Sequence, residues 1–252
     1  MNQVWIVDFG SQYTQLITRK VRELKHSSEI LTVEDALEKF AKGERPQALI
    51  LSGGPQSVFE DKTDYTSFFK DPTFPILGIC YGMQVMAQVL GGKVEKGVLG
   101  EYGHAQVHFV GEKIKECADS FSVWMSHFDH VVKLPENFEK ILESENKLIA
   151  GMKHKTNPWM SLQFHPEVEH TQYGKNILSF FLQDMAKLSQ DWAETQMLEV
   201  CLNQVRDVKN SYVLCAFSGG VDSLVAATLA HQILKDKLIC FFVDPGLLRP
   251  QD

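Results

Sequence analysis

Short apolar runs recur along the first ninety residues, each ending in a small or Gly-rich turn. Val4 to Asp8 ends in Phe9-Gly10 and leads into a helical stretch from Gln12 to about Lys25. Gln47 to Leu51 stops at Ser52-Gly53-Gly54-Pro55. Pro75 to Cys80 is followed by a helix from Met83 to Leu90, ended by Gly91-Gly92. Runs that are apolar throughout, separated by helices, predict strands buried on both faces of a parallel sheet. The fold class is therefore α/β, with a central, mostly parallel sheet flanked by helices. Between about 97 and 164 the pattern shifts to shorter alternating segments: Ala105 to Val110, Val123 to Met125, Val131 to Leu134 and Trp159 to Phe164. These predict antiparallel strands added to the sheet. Asn176 to about Leu188 reads as a helix.

A second unit is expected from about Asp191. Asp191 to about Val208 is a predicted helix, and Tyr212 to Phe217 a strand. A Gly-rich turn follows, then a helix from Leu224 to Leu234 and a strand from Leu238 to Asp244. The division is residues 1–190 for a first domain and 191–252 for the start of a second, whose single βαβ unit is expected to be cut short. No internal repeat or low-complexity segment interrupts the chain.

Composition narrows the classes. The chain has 252 residues, 44% hydrophobic and 23% charged, which is ordinary for a soluble globular protein. Its net charge of −7 argues against a nucleic-acid partner. No apolar run approaches the ~20 residues that cross a bilayer, and the N-terminus lacks the basic and apolar regions of a signal peptide. Five cysteines without a CxxC pair suit a reducing, cytoplasmic setting.

Three stretches carry candidate chemistry in the first domain. Gly78-Ile79-Cys80-Tyr81-Gly82 joins an apolar strand to a helix, a nucleophile-elbow pattern with cysteine at the apex. A strained apex needs small neighbours two before and two after, and the helix start beneath it favours a thiolate. Phe164-His165-Pro166-Glu167 supplies a base and its orienting acceptor, since residues two apart in extended backbone share a face. Ser52-Gly53-Gly54-Pro55 ends a parallel strand. Gly53 and Gly54 could offer an oxyanion donor beside the backbone N–H of Tyr81.

In the second unit, Ser218-Gly219-Gly220-Val221-Asp222-Ser223, with Leu224, places glycines and hydroxyls at a helix start directly after a strand. It lacks the Lys of a Walker A loop. Bare amides and the helix dipole still make an anion site without net positive charge. Asp222 would then meet phosphate through a metal ion, most economically Mg2+.

Taken together, the cysteine elbow with Met83-Gln84, the Ser-Gly-Gly-Pro loop and the Phe-His-Pro-Glu string resemble the class I (triad-type) glutamine amidotransferases, over roughly residues 3 to 190. The resemblance implies that Cys80 attacks the side-chain amide of glutamine, that His165 moves protons and that Glu167 orients His165. It implies no cofactor for this half. It further implies that Gln84 and Ser126-His127-Phe128-Asp129 hold the glutamine. The family commonly has glycine where this chain has Phe128, whose side chain could crowd that pocket. The Ser218 to Leu224 loop resembles the pyrophosphate-binding loop of ATP pyrophosphatases. This order of modules is similar to the glutamine-hydrolysing GMP synthase family, as are Val7 to Tyr13, Gln163 to Thr171 and Val243 to Arg249. In the last string Pro245 replaces the usual Asn. Members of that family are carbon–nitrogen ligases that use ATP and Mg2+ to aminate XMP. The resemblance implies a homodimer formed through a C-terminal region.

Two other readings stay open on sequence alone. One is a stand-alone cysteine hydrolase on the same scaffold, which leaves the Ser218 loop unexplained. The other is a non-catalytic fragment or regulatory module. Cys117, Cys201, Cys215 and Cys240 are expected to be structural, with Cys215 and Cys240 as small hydrophobes in buried strands. His104 with His108, and His127 with His130, do not have zinc-site spacing. Phe68, Phe69, Phe180, Phe181, Phe241 and Phe242 are expected in the core. Glu139, Glu143 and Glu145 are expected on a solvated face.

Overall fold

In the computed structural model, side-chain alternation splits the first unit's core into two layers. β1 (Val4–Asp8) sends Val4 and Ile6 into one apolar cluster and Trp5 and Val7 into the other. Such two-sided burial requires helices on both faces. The structure describes residues 3–97, 100–190 and 192–243. It divides into two compact units, Met1–Asp191 and Trp192–Asp252.

The first unit continues with α1 (Thr14–Glu23), β2 (Ser28–Thr32), α2 (Val33–Ala41), β3 (Ala48–Leu51), β4 (Ile76–Ile79) and α3 (Tyr81–Val89). Next come β5 (Lys93–Glu95), β6 (Glu101–Phe109), β7 (Ser120–His127), β8 (His130–Lys133), β9 (Phe138–Ser144), β10 (Ile149–His154) and β11 (Trp159–Leu162). It closes with α4 (Gly174–Ser179), which runs on as π-helix through Phe180–Met185. The main sheet is mixed α/β architecture, ordered β2-β1-β3-β4-β11-β10-β9-β6-β7. β2, β1, β3, β4 and β11 pair in parallel, and β10, β9, β6 and β7 extend the sheet antiparallel.

Residues of α1 and α4, including Ile17, Val21, Ile177 and Leu178, belong to the first cluster. Ala36 and Phe40 of α2, with Met83, Val85 and Met86 of α3, belong to the second. Strand order reverses beside β1, whose neighbours are β2 and β3. In open α/β sheets that reversal opens a crevice at the carboxyl ends of the strands. The loops after β1 and β3, and the turn after β4, all lie there.

Several elements differ from the sequence pattern. Trp159–Leu162 was expected to be antiparallel; it pairs in parallel with β4, and all four of its residues are buried. Burial on both faces is what an interior parallel strand requires. β2, α2, β9 and β10 were not expected. Glu143 is not on a solvated face: its side chain is 13% exposed and pairs with Lys140.

The second unit contains α5 (Glu194–Asp207), β12 (Val213–Ala216), α6 (Val221–Leu234) and β13 (Leu238–Phe241). β12 and β13 pair in parallel, with Cys215 opposite Cys240. Neither cysteine is buried, and Phe241 and Phe242 are exposed, contrary to expectation. A two-stranded sheet with two helices covers too little surface to enclose them. Asp244 and Pro245 lie outside the described residues.

Packing is close where α3 meets β3. A Cβ on Gly82 would fall 2.4 Å from the Leu51 carbonyl oxygen. Gly82→Ala is therefore expected to lower stability by about 1–3 kcal/mol, read as a fall in the urea unfolding midpoint. An unchanged midpoint would contradict this packing.

Candidate active site

A cleft of about 530 Å³ opens at the carboxyl end of the parallel strands, lined by the loops after β1 and β3, the start of α3, the β7–β8 turn and His165. Cys80 stands at its base between β4 and α3, with φ 51° and ψ −104°. That conformation is strained for any side chain. It is held by close neighbours. The Cys80 amide donates to the Leu162 carbonyl at 2.7 Å. A Cβ on Gly78 would lie 2.7 Å from the Gly82 carbonyl oxygen. Both flanking glycines are therefore steric necessities of the elbow.

His165 reaches the cleft from the segment after β11. Its backbone N–H donates to the Trp124 carbonyl at 3.1 Å, and its carbonyl accepts from Thr171 Oγ1 at 2.6 Å. Thr171 Oγ1 also accepts from the Trp124 N–H at 3.0 Å, which clamps the segment to β7. The Tyr13 ring meets the imidazole edge-on at a centroid distance of 5.0 Å. His165 Nδ1 lies 2.7 Å from Glu167 Oε1, and both side chains are almost wholly buried. Burial opposes a charged imidazole. The negative charge of Glu167 and hydrogen bonds with Cys80 and Glu167 outweigh it, and raise the His165 pKa above the ordinary histidine value.

The strands thus bring Cys80, His165 and Glu167 together, as the motifs predict. Gly53 sits against both His165 and Cys80: a Cβ there would be 2.9 Å from His165 Cε1 and 3.6 Å from Cys80 Cβ. Gly54 lines the cleft. Tyr81 opens α3, so its backbone N–H is among those a helix start leaves without an intrahelical partner.

Gln84 lies one turn after Cys80 on α3, so the two share a face. Its Nε2 donates to the Asp129 carbonyl at 2.8 Å. The Ser126 carbonyl is 3.6 Å from Cys80 Sγ. Phe128 lines the cleft at 47% exposed and is not among the described residues with positive φ. A side chain there carries no backbone strain. The His127 side chain is 2% exposed, with Nε2 3.1 Å from Glu101 and Nδ1 3.1 Å from the Asp129 carbonyl.

One polar cluster has no signal in the motifs. Tyr81 and Tyr65 donate to the same oxygen of Asp61, at 2.6 and 2.5 Å. Burial is the largest single influence and raises the Asp61 pKa, but the hydrogen bonds from Tyr65, Tyr81 and Thr63 together outweigh it and hold it at about 2. Asp61 thereby anchors the side chain of the residue after Cys80.

In the second unit, Ser218 to Leu224 form a hydroxyl-rich turn into α6. Gly219 has φ 81°, Ser218 Oγ and Ser223 Oγ are 3.1 Å apart, and Ser223 Oγ donates to the Gly220 carbonyl at 2.9 Å. Gly220 caps the helix, Val221 is 75% exposed, and Asp222 lies in the first turn.

The glutamine amidotransferase class-I family profile matches residues 5–185. The chain belongs to the class I glutamine amidotransferase family. Among relatives of this amidotransferase, a GMP synthase [glutamine-hydrolyzing] of Staphylococcus carnosus is 42% identical over 253 residues, 98% of this chain and 48% of the relative. A protein of the same name from Thermosipho melanesiensis is 43% identical over 255 residues, 99% and 49% respectively. The chain therefore spans about half the length of these curated relatives. A solved protein of Thermoplasma acidophilum, provisionally assigned as one subunit of a GMP synthase, superposes with a TM-score of 0.67 at 32% identity, covering 74% of this chain and 95% of that one.

The His165–Glu167 pair yields a signed prediction. His165 binds its proton more tightly in the folded protein than in the unfolded chain. The stability this contributes is full below the ordinary histidine pKa and is lost as pH rises through the raised value. Glu167→Gln should move the His165 titration down, followed by NMR of its Cε1 proton, and should erase that pH-dependent stability. An unmoved titration would contradict the pairing.

Proposed function

We propose that this chain is the glutaminase portion of a glutamine-hydrolysing GMP synthase, with Cys80 as nucleophile. The observation that carries the reading is the strained Cys80 elbow beside a buried His165–Glu167 pair. In this reading Cys80, its proton already passed to His165, attacks the side-chain amide carbon of glutamine as a thiolate. The amide oxygen becomes an oxyanion, met by the backbone N–H groups of Tyr81 and of the Gly53-Gly54 loop. His165 then protonates the leaving nitrogen, and ammonia departs from a γ-glutamyl thioester. His165 next takes a proton from water, which releases glutamate and restores the thiolate. Glu167 keeps the imidazole oriented and stabilises its charged form. Gln84, Ser126 and the backbone of Phe128 would hold the substrate's polar groups.

The second unit would begin the domain that activates XMP. The Ser218 to Leu224 turn suits an anion: a Cβ at Gly219 would meet nothing within 4 Å, so the backbone is open to a close-fitting group. Ser218, Ser223 and the first N–H groups of α6 would hold the phosphates of ATP. Asp222 would supply one carboxylate to Mg2+, which when bound would neutralise phosphate charge. ATP would supply the AMP leaving group that ammonia displaces. The relatives' names support GMP formation as the destination of the ammonia.

Cys80→Ala should abolish glutamate release from glutamine while the fold survives, measured by a coupled glutamate assay and circular dichroism. Undiminished release would overturn the reading. The chain by itself should turn over slowly, because glutaminases of this kind are restrained until a synthetase site is filled. Vigorous release without a synthetase partner would count against the coupling.

A further inference from the structure

Glu101 has no place in the chemistry described so far, yet its carboxylate is buried under the β7–β8 turn. It accepts from Asn146 Nδ2 at 2.8 Å and from Ser144 Oγ at 3.0 Å, and lies 3.1 Å from His127 Nε2. The other ring nitrogen of His127 faces the Asp129 carbonyl at 3.1 Å. A carbonyl oxygen only accepts. A carboxylate only accepts while it is ionised. Burial raises the Glu101 pKa, but hydrogen bonds from His127, Asn146 and Ser144 outweigh it and keep the carboxyl below its ordinary range. Both His127 nitrogens must then carry protons for both contacts to be hydrogen bonds.

The Asp129 carbonyl is also the acceptor for Gln84 Nε2 at 2.8 Å, and Ser57 Oγ donates to Asp129 Oδ2 at 2.5 Å. These contacts form one continuous path: Glu101, His127, the Asp129 carbonyl, Gln84. The end of the path decides how the Gln84 amide is turned. With Nε2 committed to Asp129, Oε1 is left as an acceptor in a cleft that Cys80 shares. Glutamine presents N–H donors at its ammonium and at its carboxamide. An acceptor favours it over glutamate, whose side-chain carboxylate has none.

We propose that Glu101 is a positioning residue that acts through a doubly protonated His127 to hold Gln84 with its carbonyl oxygen toward the substrate. The proposal rests on the glutaminase reading above for the identity of that substrate. Glu101 touches neither substrate nor Cys80, so its loss should weaken glutamine binding rather than the chemical step.

Two measurements on the full chain decide it. The first is 15N NMR of the His127 ring in the unmodified protein at neutral pH. Protons on both nitrogens are expected; one bare nitrogen would overturn the proposal. The second compares Glu101→Gln, Gln84→Ala and the double variant in glutamate release. E101Q should raise KM for glutamine about tenfold, the loss of one charge-assisted hydrogen bond, and leave kcat within about twofold. In the Gln84→Ala background it should raise KM no further. An unchanged KM, or an equal added rise in that background, would overturn it. If E101Q does not fold, His127→Asn carries the same comparison. If the unmodified chain releases no glutamate, the glutaminase reading fails, while the ring measurement still decides the positioning role.

Discussion

The cleft of the first unit depends on how closely α3 approaches the end of β3. That approach is possible because position 82 has no side chain, and Ser52 holds it together. Ser52 is fully buried; its amide donates to the Val7 carbonyl at 3.1 Å, and its hydroxyl accepts from the Phe9 N–H at 3.0 Å. Its own carbonyl accepts from the Gly82 N–H at 3.0 Å. One residue thus ties the carboxyl ends of β1 and β3 to the first turn of α3. The Cys80 conformation follows, since the chain must turn from β4 into α3 within a single residue. Strain of this kind persists only where its surroundings over-determine it.

Charge arrangement around this scaffold follows one rule. Carboxylates near the cleft meet donors: buried Glu167 meets His165, buried Glu101 meets His127, Ser144 and Asn146, buried Asp129 meets Ser57, and half-buried Asp61 meets two tyrosines. Buried charges are tolerable only when so partnered. They sit on different segments: Glu167 addresses the proposed nucleophile's partner, Glu101 and Asp129 the proposed substrate side, and Asp61 the residue after Cys80. The acidic character of the chain therefore does not conflict with an anionic substrate group or leaving group. Local donors, not net charge, define the site.

Much of this was legible in the sequence because close steric demands leave few choices. Gly78, Gly82 and the two-residue spacing of His165 and Glu167 are local consequences of an elbow and an extended segment. The parallel strands were legible from unbroken apolar runs. Trp159–Leu162 was misread as alternating, although its burial on both faces is the same signal that marks β1, β3 and β4. The edge strand β2 carries only partial burial, so its pattern is weak. α2 did carry a start signal, since Thr32 Oγ1 accepts from the Asp35 N–H at 3.1 Å. Glu101 and Asp61 were not legible, because Glu101 meets His127 26 residues away and Asp61 meets Tyr81 20 residues away, contacts that only the folded chain makes. In the second unit, reading apolar strands as buried failed for Cys215, Cys240, Phe241 and Phe242, where the described elements do not form a closed core.

In the proposed reaction Cys80 carries a γ-glutamyl group during turnover. Rapid acid quenching of the chain with glutamine, followed by peptide mass spectrometry, tests this directly. A γ-glutamyl adduct is expected on the peptide containing Cys80, lost on treatment with hydroxylamine and absent when Cys80 is alanine. Glutamate release without any adduct on that peptide, or with the adduct on another cysteine, would contradict it.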